Sequence, residues 1–303
     1  MGSAALPPRE SFRRAVSVPP SQVDLLAASL YIAAGQYPDL DIVATRGRVA
    51  LLAARVRALL GRRHSLFDAV HAVNEVLFRE EGIRGDRDDY YDPRNSYLPD
   101  VLDRKLGIPI TLSLLHIEIG QRVGYRFVGI GIPGHFLVRA GEGAGAIYVD
   151  PFNDGGLLSR KECLELVQQA TRGPEAAGPA LSPEDAALLM RPTGKRAVIR
   201  RLLTNLKRAY MERVDLLPAL RVAEWIRIVE PTLWHNLADL ARFQAELGRY
   251  GAAVETLSTY LKGAPRGHDL SAARAALREL RTLEATSDGA AARLARDAGD
   301  HEG

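Results

Sequence analysis

At 303 residues the chain exceeds one average domain, which predicts two. Hydrophobic residues at 47% and charged residues at 25% predict a soluble globular protein with a sizeable core, which excludes a disordered chain; no uninterrupted apolar run approaches the length of a membrane span. The net charge of +3 is weak, 35 arginines against 5 lysines reflect a compositional bias, and 6% aromatics are too few to argue for a nucleic-acid surface.

The single cysteine, Cys163, excludes an intrachain disulfide and fits a reducing cytoplasm. Residues 1–22 are rich in Pro, Ser and Arg and predict a flexible N-terminus. They lack the basic-then-apolar order of a secretory signal, and Leu6 stands where a myristoylation motif wants Ser or Thr. The expected location is the cytoplasm.

Ser21–Asp24 opens a helix whose apolar positions include Leu25, Leu26, Leu30 and Ala33. Arg46–Leu60 carries Val49, Leu52, Val56 and Leu60 at spacings of three and four, with Gly61 as its C-cap. His64–Glu80 is a further helix. The loop that follows, EGIRGDRDDYYDPRNS, carries Asp86, Asp88, Asp89 and Asp92 but no terminal glutamate for a calcium loop, so a solvated connector and no metal are expected. Leu98–Lys105 is a short helix with Asn95 as candidate N-cap, alternatively a polar group lining a site. Ile110–Val123 is apolar almost all round and predicts a buried helix, in which His116 is a core histidine and Gly124 the stop. Arg126–Ile132, Phe136–Arg139 and Ile147–Val149 are strands, the last two joined by GEGAGA. Helix first and antiparallel strands after make an α+β order.

A composition shift at 173–192 marks a linker between a first domain, 23–172, and an all-helical region, 193–284; residues 285–303 form a flexible tail. Inside the linker, Ser182–Asp185 resembles a helix start. Pro231 and Pro265 are 34 residues apart, the tetratricopeptide period, and enclose Leu237, Leu240, Gly248, Tyr250 and Ala253 at repeat positions. The upstream copy has Val214 where the turn glycine belongs.

The chemistry concentrates between Asn95 and Asp154. His135 and Asp150 are 15 residues apart about a turn that spans 141–143, which makes them cross-strand neighbours on one face. A carboxylate beside an imidazole fixes its tautomer. A thiolate is favoured at a helix N-terminus, and the helix opening at Gly107-Ile108-Pro109 is where one would belong. Pro109 is instead suited to a first helical turn and offers no nucleophile.

LGIPITLSLLHIEIGQRVGY, IPGHFLVR and YVDPFNDGG resemble the transglutaminase-like core, more narrowly the bacterial SirB-one family, in which such a core precedes tetratricopeptide-type helices. The resemblance spans roughly residues 40–265. It implies a papain/transglutaminase-like α+β core with a small antiparallel sheet, followed by an all-α tetratricopeptide-like array. It also implies a Cys-His-Asp triad, of which His135 and Asp150 match the last two while Pro109 falls at the cysteine. The expected protein is therefore a degenerate, non-catalytic member that binds a protein or peptide, with no cofactor, no membrane and no nucleic acid; no feature fixes an oligomeric state. The alternative is a hydrolase or acyltransferase whose nucleophile is Thr111 or Ser113. Cys163 lies on another helix and is expected to be structural. Arg196, Arg200 and Lys207 fall along the first repeat helix and are candidates for an acidic-peptide site, a solvated charged face being the plainer explanation.

Overall fold

The structure is a computed structural model that describes residues 6–172, 182–263 and 270–299. It divides into two compact units, Met1–Asn205 and Leu206–Gly303.

The first unit opens with α1 (Pro8–Val16), inside the segment expected to be flexible. Phe12 and Val16, four residues apart, bury one face against α2 (Leu25–Ala34). The guanidinium of Arg196 then fixes the chain by donating to the carbonyls of Val16 (2.9 Å) and Val18 (2.6 Å). Asp24 caps α2, accepting from the Ala27 N–H at 2.8 Å. Asp41 does the same for α3 (Ile42–Leu59), which starts four residues before its apolar pattern and ends without using Gly61. A Ser65–Asp68 capping box opens α4 (Leu66–Asn74), which continues as a π-turn over Glu75–Glu80.

Two short strands, β1 (Arg84–Gly85) and β2 (Leu106–Gly107), pair in parallel around α5 (Leu98–Arg104). The central helix α6 (Pro109–Arg122) follows, buried from Pro109 to Gly120. Then come β3 (Phe127–Ile132), β4 (His135–Ala140), β5 (Ile147–Asp150) and β6 (Gly156–Leu158), an antiparallel sheet in that order. Helices α7 (Arg160–Arg172) and α8 (Pro183–Leu189) complete the layer.

The sheet is covered on both faces. Phe127, Val138, Ala140 and Val149 pack on Val70 of α4 and Ile117 of α6. Ile130, Ile132, Leu137 and Tyr148 pack on Cys163 and Val167 of α7 and on Met190. Strand alternation assigns these sets to opposite sides. Of the expected linker, residues 173–181 lie outside the described residues; 183–189 are helical, capped by Ser182 as its sequence suggests. Thr193 pairs with β3, its N–H bonding the Gly129 carbonyl at 2.8 Å.

Helix α9 (Lys195–Glu212) runs past the boundary into the second unit, which continues with α10 (Leu216–Val229), α11 (Trp234–Glu246), α12 (Tyr250–Gly263) and α13 (Ser271–Gly299). From α10 onward each helix packs on the next. Residues 285–299, expected to fray, continue α13; 300–303 and Pro265 lie outside the described residues.

The two turn positions 34 residues apart adopt the same left-handed conformation, Gly248 at φ 71° and Val214 at φ 56°. A β-branched residue is an outlier there, and Val214 recovers nothing by burial, being 78% exposed. Val214→Gly should therefore stabilise the protein by roughly 0.5–1 kcal/mol, the relief of left-handed strain outweighing glycine's extra unfolded-state entropy. Denaturant unfolding checks it; an equal or lower midpoint would contradict the strain argument.

Candidate functional site

His135 is delivered by a two-residue turn, Pro133-Gly134, with Gly134 at φ 69°, between Ile132 and His135, which pair across the hairpin. Proline followed by a positive-φ glycine suits a type II turn. The β4–β5 register pairs Val138 with Val149 and Ala140 with Ile147. Extended by one residue, it sets Asp150 opposite Leu137. His135 is thus diagonal to Asp150 on the same face, two residues from the directly opposed position that the spacing suggests. The diagonal is still within reach: His135 Nε2 lies 2.8 Å from Asp150 Oδ2.

Asp150 is buried and saturated with donors. Its Oδ1 accepts from the N–H groups of Phe152 (3.1 Å) and Asn153 (3.3 Å), and its Oδ2 from Asn153 Nδ2 (2.6 Å) as well as from His135. Burial pushes this carboxyl up, but the hydrogen bond and charge of His135, followed by the bonds from Asn153, hold it below the usual carboxylate range. An ionised Asp150 requires the proton on Nε2, so in the neutral ring the lone pair sits on Nδ1.

Phe152 stands edge-on to the imidazole, 6.2 Å between ring centroids, and also meets Tyr90 at 6.1 Å. Arg87 lies over the Phe152 ring at 5.4 Å and donates to Asn153 Oδ1, which links it to the Asp150 carboxylate. Gly85 packs so closely on Phe152 that a Cβ would come within 2.6 Å of the ring. Because Gly85 pairs with Gly107, the start of α6 is tied to the same aromatic cluster. A cleft of about 200 Å³ opens there, lined by Arg84, Arg87, Leu106, Phe152 and Asp154 among others.

At the helix start, Pro109 occupies the first turn. Thr111 Oγ1 is buried; it accepts from the Ile108 N–H at 3.1 Å and donates to the Asn95 carbonyl at 2.8 Å. Ser113, also buried, donates to the Phe136 carbonyl at 3.2 Å. Both hydroxyls are engaged with backbone groups, and neither bonds His135.

Asn95 is not a helix cap; Tyr97 takes that position. Its amide donates to Asp86 Oδ2 (3.0 Å) and to the Asp89 carbonyl (2.8 Å), and accepts from Arg104 (3.0 Å). Arg104 also pairs with Asp92 at 3.2 Å and Asp86 at 3.5 Å. Asp86 and Asp92 are buried, so the connector expected to be solvated is a packed element; only Asp88 and Asp89 face water. Arg94 pairs with Asp92 from two residues away at 2.6 Å, but Arg104, the cation common to both carboxylates, lies on the next helix, beyond the reach of local pattern.

Cys163 joins the apolar cluster on the sheet face that alternation assigns to His135 and Asp150. Its thiol is fully enclosed and pushed up to about 12, first by burial and then by Glu162 and Asp150. It is not a thiolate at neutral pH. The proposed cationic trio is committed elsewhere or sheltered. Arg196 holds the N-terminal segment. Lys207 is buried, bonded to Asp239 (2.7 Å) and Asn236 (3.2 Å). Arg200 is half-buried. In Arg196 and Lys207 the charges stabilise the fold rather than wait for an acidic peptide.

Sequence comparison agrees with this architecture. Residues 44–204 match the model of the transglutaminase-like superfamily, to which the chain therefore belongs, and residues 206–278 match the tetratricopeptide repeat. Within that class the chain is a member of the UPF0162 family. It is 35% identical over 263 residues to the UPF0162 protein of Xylella fastidiosa (strain Temecula1), covering 84% of this chain and 89% of that one. The UPF0162 protein of Vibrio cholerae is 28% identical over 191 residues, covering 63% and 67%. F-box only protein 21 of Mus musculus is 40% identical over 106 residues, but these make up 32% of this chain and 17% of that protein.

Proposed function

We propose that this chain is a non-catalytic transglutaminase-like protein that holds a peptide segment beside its His135–Asp150 pair, and that its repeats engage a protein partner. The observation that carries this reading is the start of α6. The resemblance puts the family's thiol at Pro109, which opens α6, and the nearby hydroxyls of Thr111 and Ser113 are bonded to backbone. Acyl transfer needs a nucleophile within hydrogen-bond reach of its base. A hydroxyl route would require Thr111 to abandon the bonds that close the first turn of α6, or Ser113 to leave the sheet. What is left is recognition: an imidazole oriented by an ionised carboxylate, an aromatic wall at Phe152, and, along that ring, a small cleft of mixed charge lined by Arg84, Arg87, Asp86, Asp88 and Asp154. Tetratricopeptide repeats are in general protein-interaction elements, which supports the second half of the proposal. No helix among the described residues is long and apolar enough to cross a membrane.

Restoring the thiol tests the placement. Pro109→Cys should be alkylated by iodoacetamide with a pKa below the ordinary cysteine value of about 8.5, and more slowly when His135→Ala is added. Cys163, enclosed, gives a silent background. An unreactive or unperturbed thiol at 109 would contradict the assignment of the nucleophile's seat.

A further inference from the structure

Helix α3 presents two apolar sides. Thr45, Val49, Leu52, Ala53 and Val56 are buried against the unit. The opposite side should be polar in a surface helix. Instead Val43 is 80% exposed and Leu51 67%, with exposed Gly47, Ala54 and Ala58 in line with them; Leu59, 52% exposed, lies further round the helix at its C-terminal end. An exposed apolar strip of this kind, about 22 Å from Val43 to Ala58 along an 18-residue helix, marks an interaction surface.

The charge around the strip is one-sided and localised. Residues 42–63 contain six arginines and no acid. Four of them turn away to partners of their own: Arg46 to Asp24 (3.1 Å), Arg48 to Asp103 (2.7 Å), Arg55 to Glu80 (2.5 Å) and Arg57 to the Arg122 carbonyl (3.0 Å). Arg62 and Arg63 make no ion pair among the described residues. They follow the C-terminal end of the strip, where Leu59, Leu60, Arg63, His64 and His71 line an open bowl of about 540 Å³. Phe67, 52% exposed, lies edge-on to His71 at 4.3 Å beside it. The two carboxylates that line the bowl have partners of their own: Asp68 sits in the Ser65 capping box, and Glu75 pairs with Arg79 at 3.3 Å.

We infer that the strip and bowl dock an amphipathic helix of a partner protein, its apolar face along α3 and its acidic residues at the end that meets Arg62 and Arg63. This surface is separate from the His135–Asp150 pair and does not depend on it. An anionic membrane would use cations spread along the whole apolar face; here three of the helix's four arginines are paired with carboxylates, Arg57 is turned to a backbone carbonyl, and Arg62 and Arg63 sit beside a concavity that a lipid surface does not fill. Helix-in-groove recognition uses apolar anchors at i, i+3 or i+4, and i+7 with charged flanks, which is the complement of this strip.

The test is selection of a displayed library of random helix-length peptides on the full-length protein, followed by fluorescence anisotropy of the enriched peptides. Three variants lie at exposed positions: Gly47→Gln, whose added Cβ meets nothing within 4 Å, Leu51→Glu and Arg63→Glu. Enriched peptides should carry a helical apolar stripe with Asp or Glu grouped at one end. Gly47→Gln and Leu51→Glu should weaken them by about tenfold or more. Arg63→Glu should weaken them too, and exchanging the peptide's acids for lysines should restore binding to that variant alone. The inference is overturned if no such consensus emerges, or if the three variants bind the selected peptides as the wild type does. It is overturned equally if Leu51→Glu instead abolishes sedimentation with phosphatidylserine-rich vesicles, which would assign the strip to a membrane surface.

Discussion

Arg104→Ala should cost the protein about 3 kcal/mol, because it leaves the buried Asp86 without its counter-charge and strips one of two cations from the buried Asp92, which keeps Arg94 at 2.6 Å. Asp86 and Asp92 are almost wholly enclosed, and Arg104 is the cation that meets both while also holding the Asn95 side-chain carbonyl. Asn95 in turn supplies the carbonyl that receives the Thr111 hydroxyl. The effect therefore extends to the first turn of α6, and the loss should exceed that of a surface ion pair several-fold. Arg104→Lys keeps the charge but not the forked geometry and should fall between. Asp88→Ala, on the exposed part of the same loop, should stay within about 0.5 kcal/mol of wild type. Urea unfolding of the three variants checks the order. If Arg104→Ala unfolds like Asp88→Ala, the connector is not the packed strut described above.

The second large effect is acid sensitivity centred on His116. The ring is wholly buried between Phe78 (6.1 Å, nearly parallel) and Phe127 (5.4 Å). Asn74 donates its amide to the Gly155 carbonyl at 2.8 Å, so its oxygen faces His116 Nε2 at 2.9 Å and that nitrogen carries the proton. Nδ1 has no partner. Burial lowers the pKa of this imidazole from 6.5 to about 3. The folded value lies below the unfolded one, so the neutral ring's contribution is complete above 6.5 and is lost as pH falls toward 3. A shift of this size corresponds to on the order of 4 kcal/mol over that window. Asp150, also held low in the folded state, loses its contribution in the same direction at the acid end, as pH falls through its depressed value. His116→Leu leaves the Asn74 oxygen unpaired and should be less stable at neutral pH. Its unfolding free energy should nevertheless change much less between neutrality and mild acid. A variant with the wild-type slope would show that His116 is not the titrating group.

Much of the core was legible because its signals are local and repeated. Apolar positions at helical spacing marked α3, α4 and α6; alternating runs marked β3, β4 and β5; the 34-residue period marked the repeats, down to the turn at Val214. The pairing of His135 with Asp150 followed from a hairpin bounded by Gly-rich sequence, although the register placed them diagonally. The hidden features share a different physics. β1, β2 and β6 are two or three residues long, too short for any period, and exist because neighbouring backbone is there to pair with them. α1 has only Phe12 and Val16 to bury, and its docking relies on Arg196, some 180 residues away. Asp86 looked like solvated charge because its partner, Arg104, comes from the next helix; Asp92 shares that arginine with its neighbour Arg94. Lys207 looked like an offered cation because Asp239 comes from another repeat. Charges settle by tertiary partners, and sequence distance hides those.

Turnover measured on the full-length protein tests the central claim most directly, namely that a paired His135 and Asp150 serve recognition in a core without a nucleophile. Wild type and His135→Ala are incubated with peptide amide, peptide thioester and glutamine-plus-amine substrates, and product is followed by mass spectrometry. The expected result is no product above the uncatalysed background in either protein, with His135→Ala melting at a lower temperature because Asp150 loses its buried partner. Product formed by the wild type and lost in His135→Ala would contradict the account.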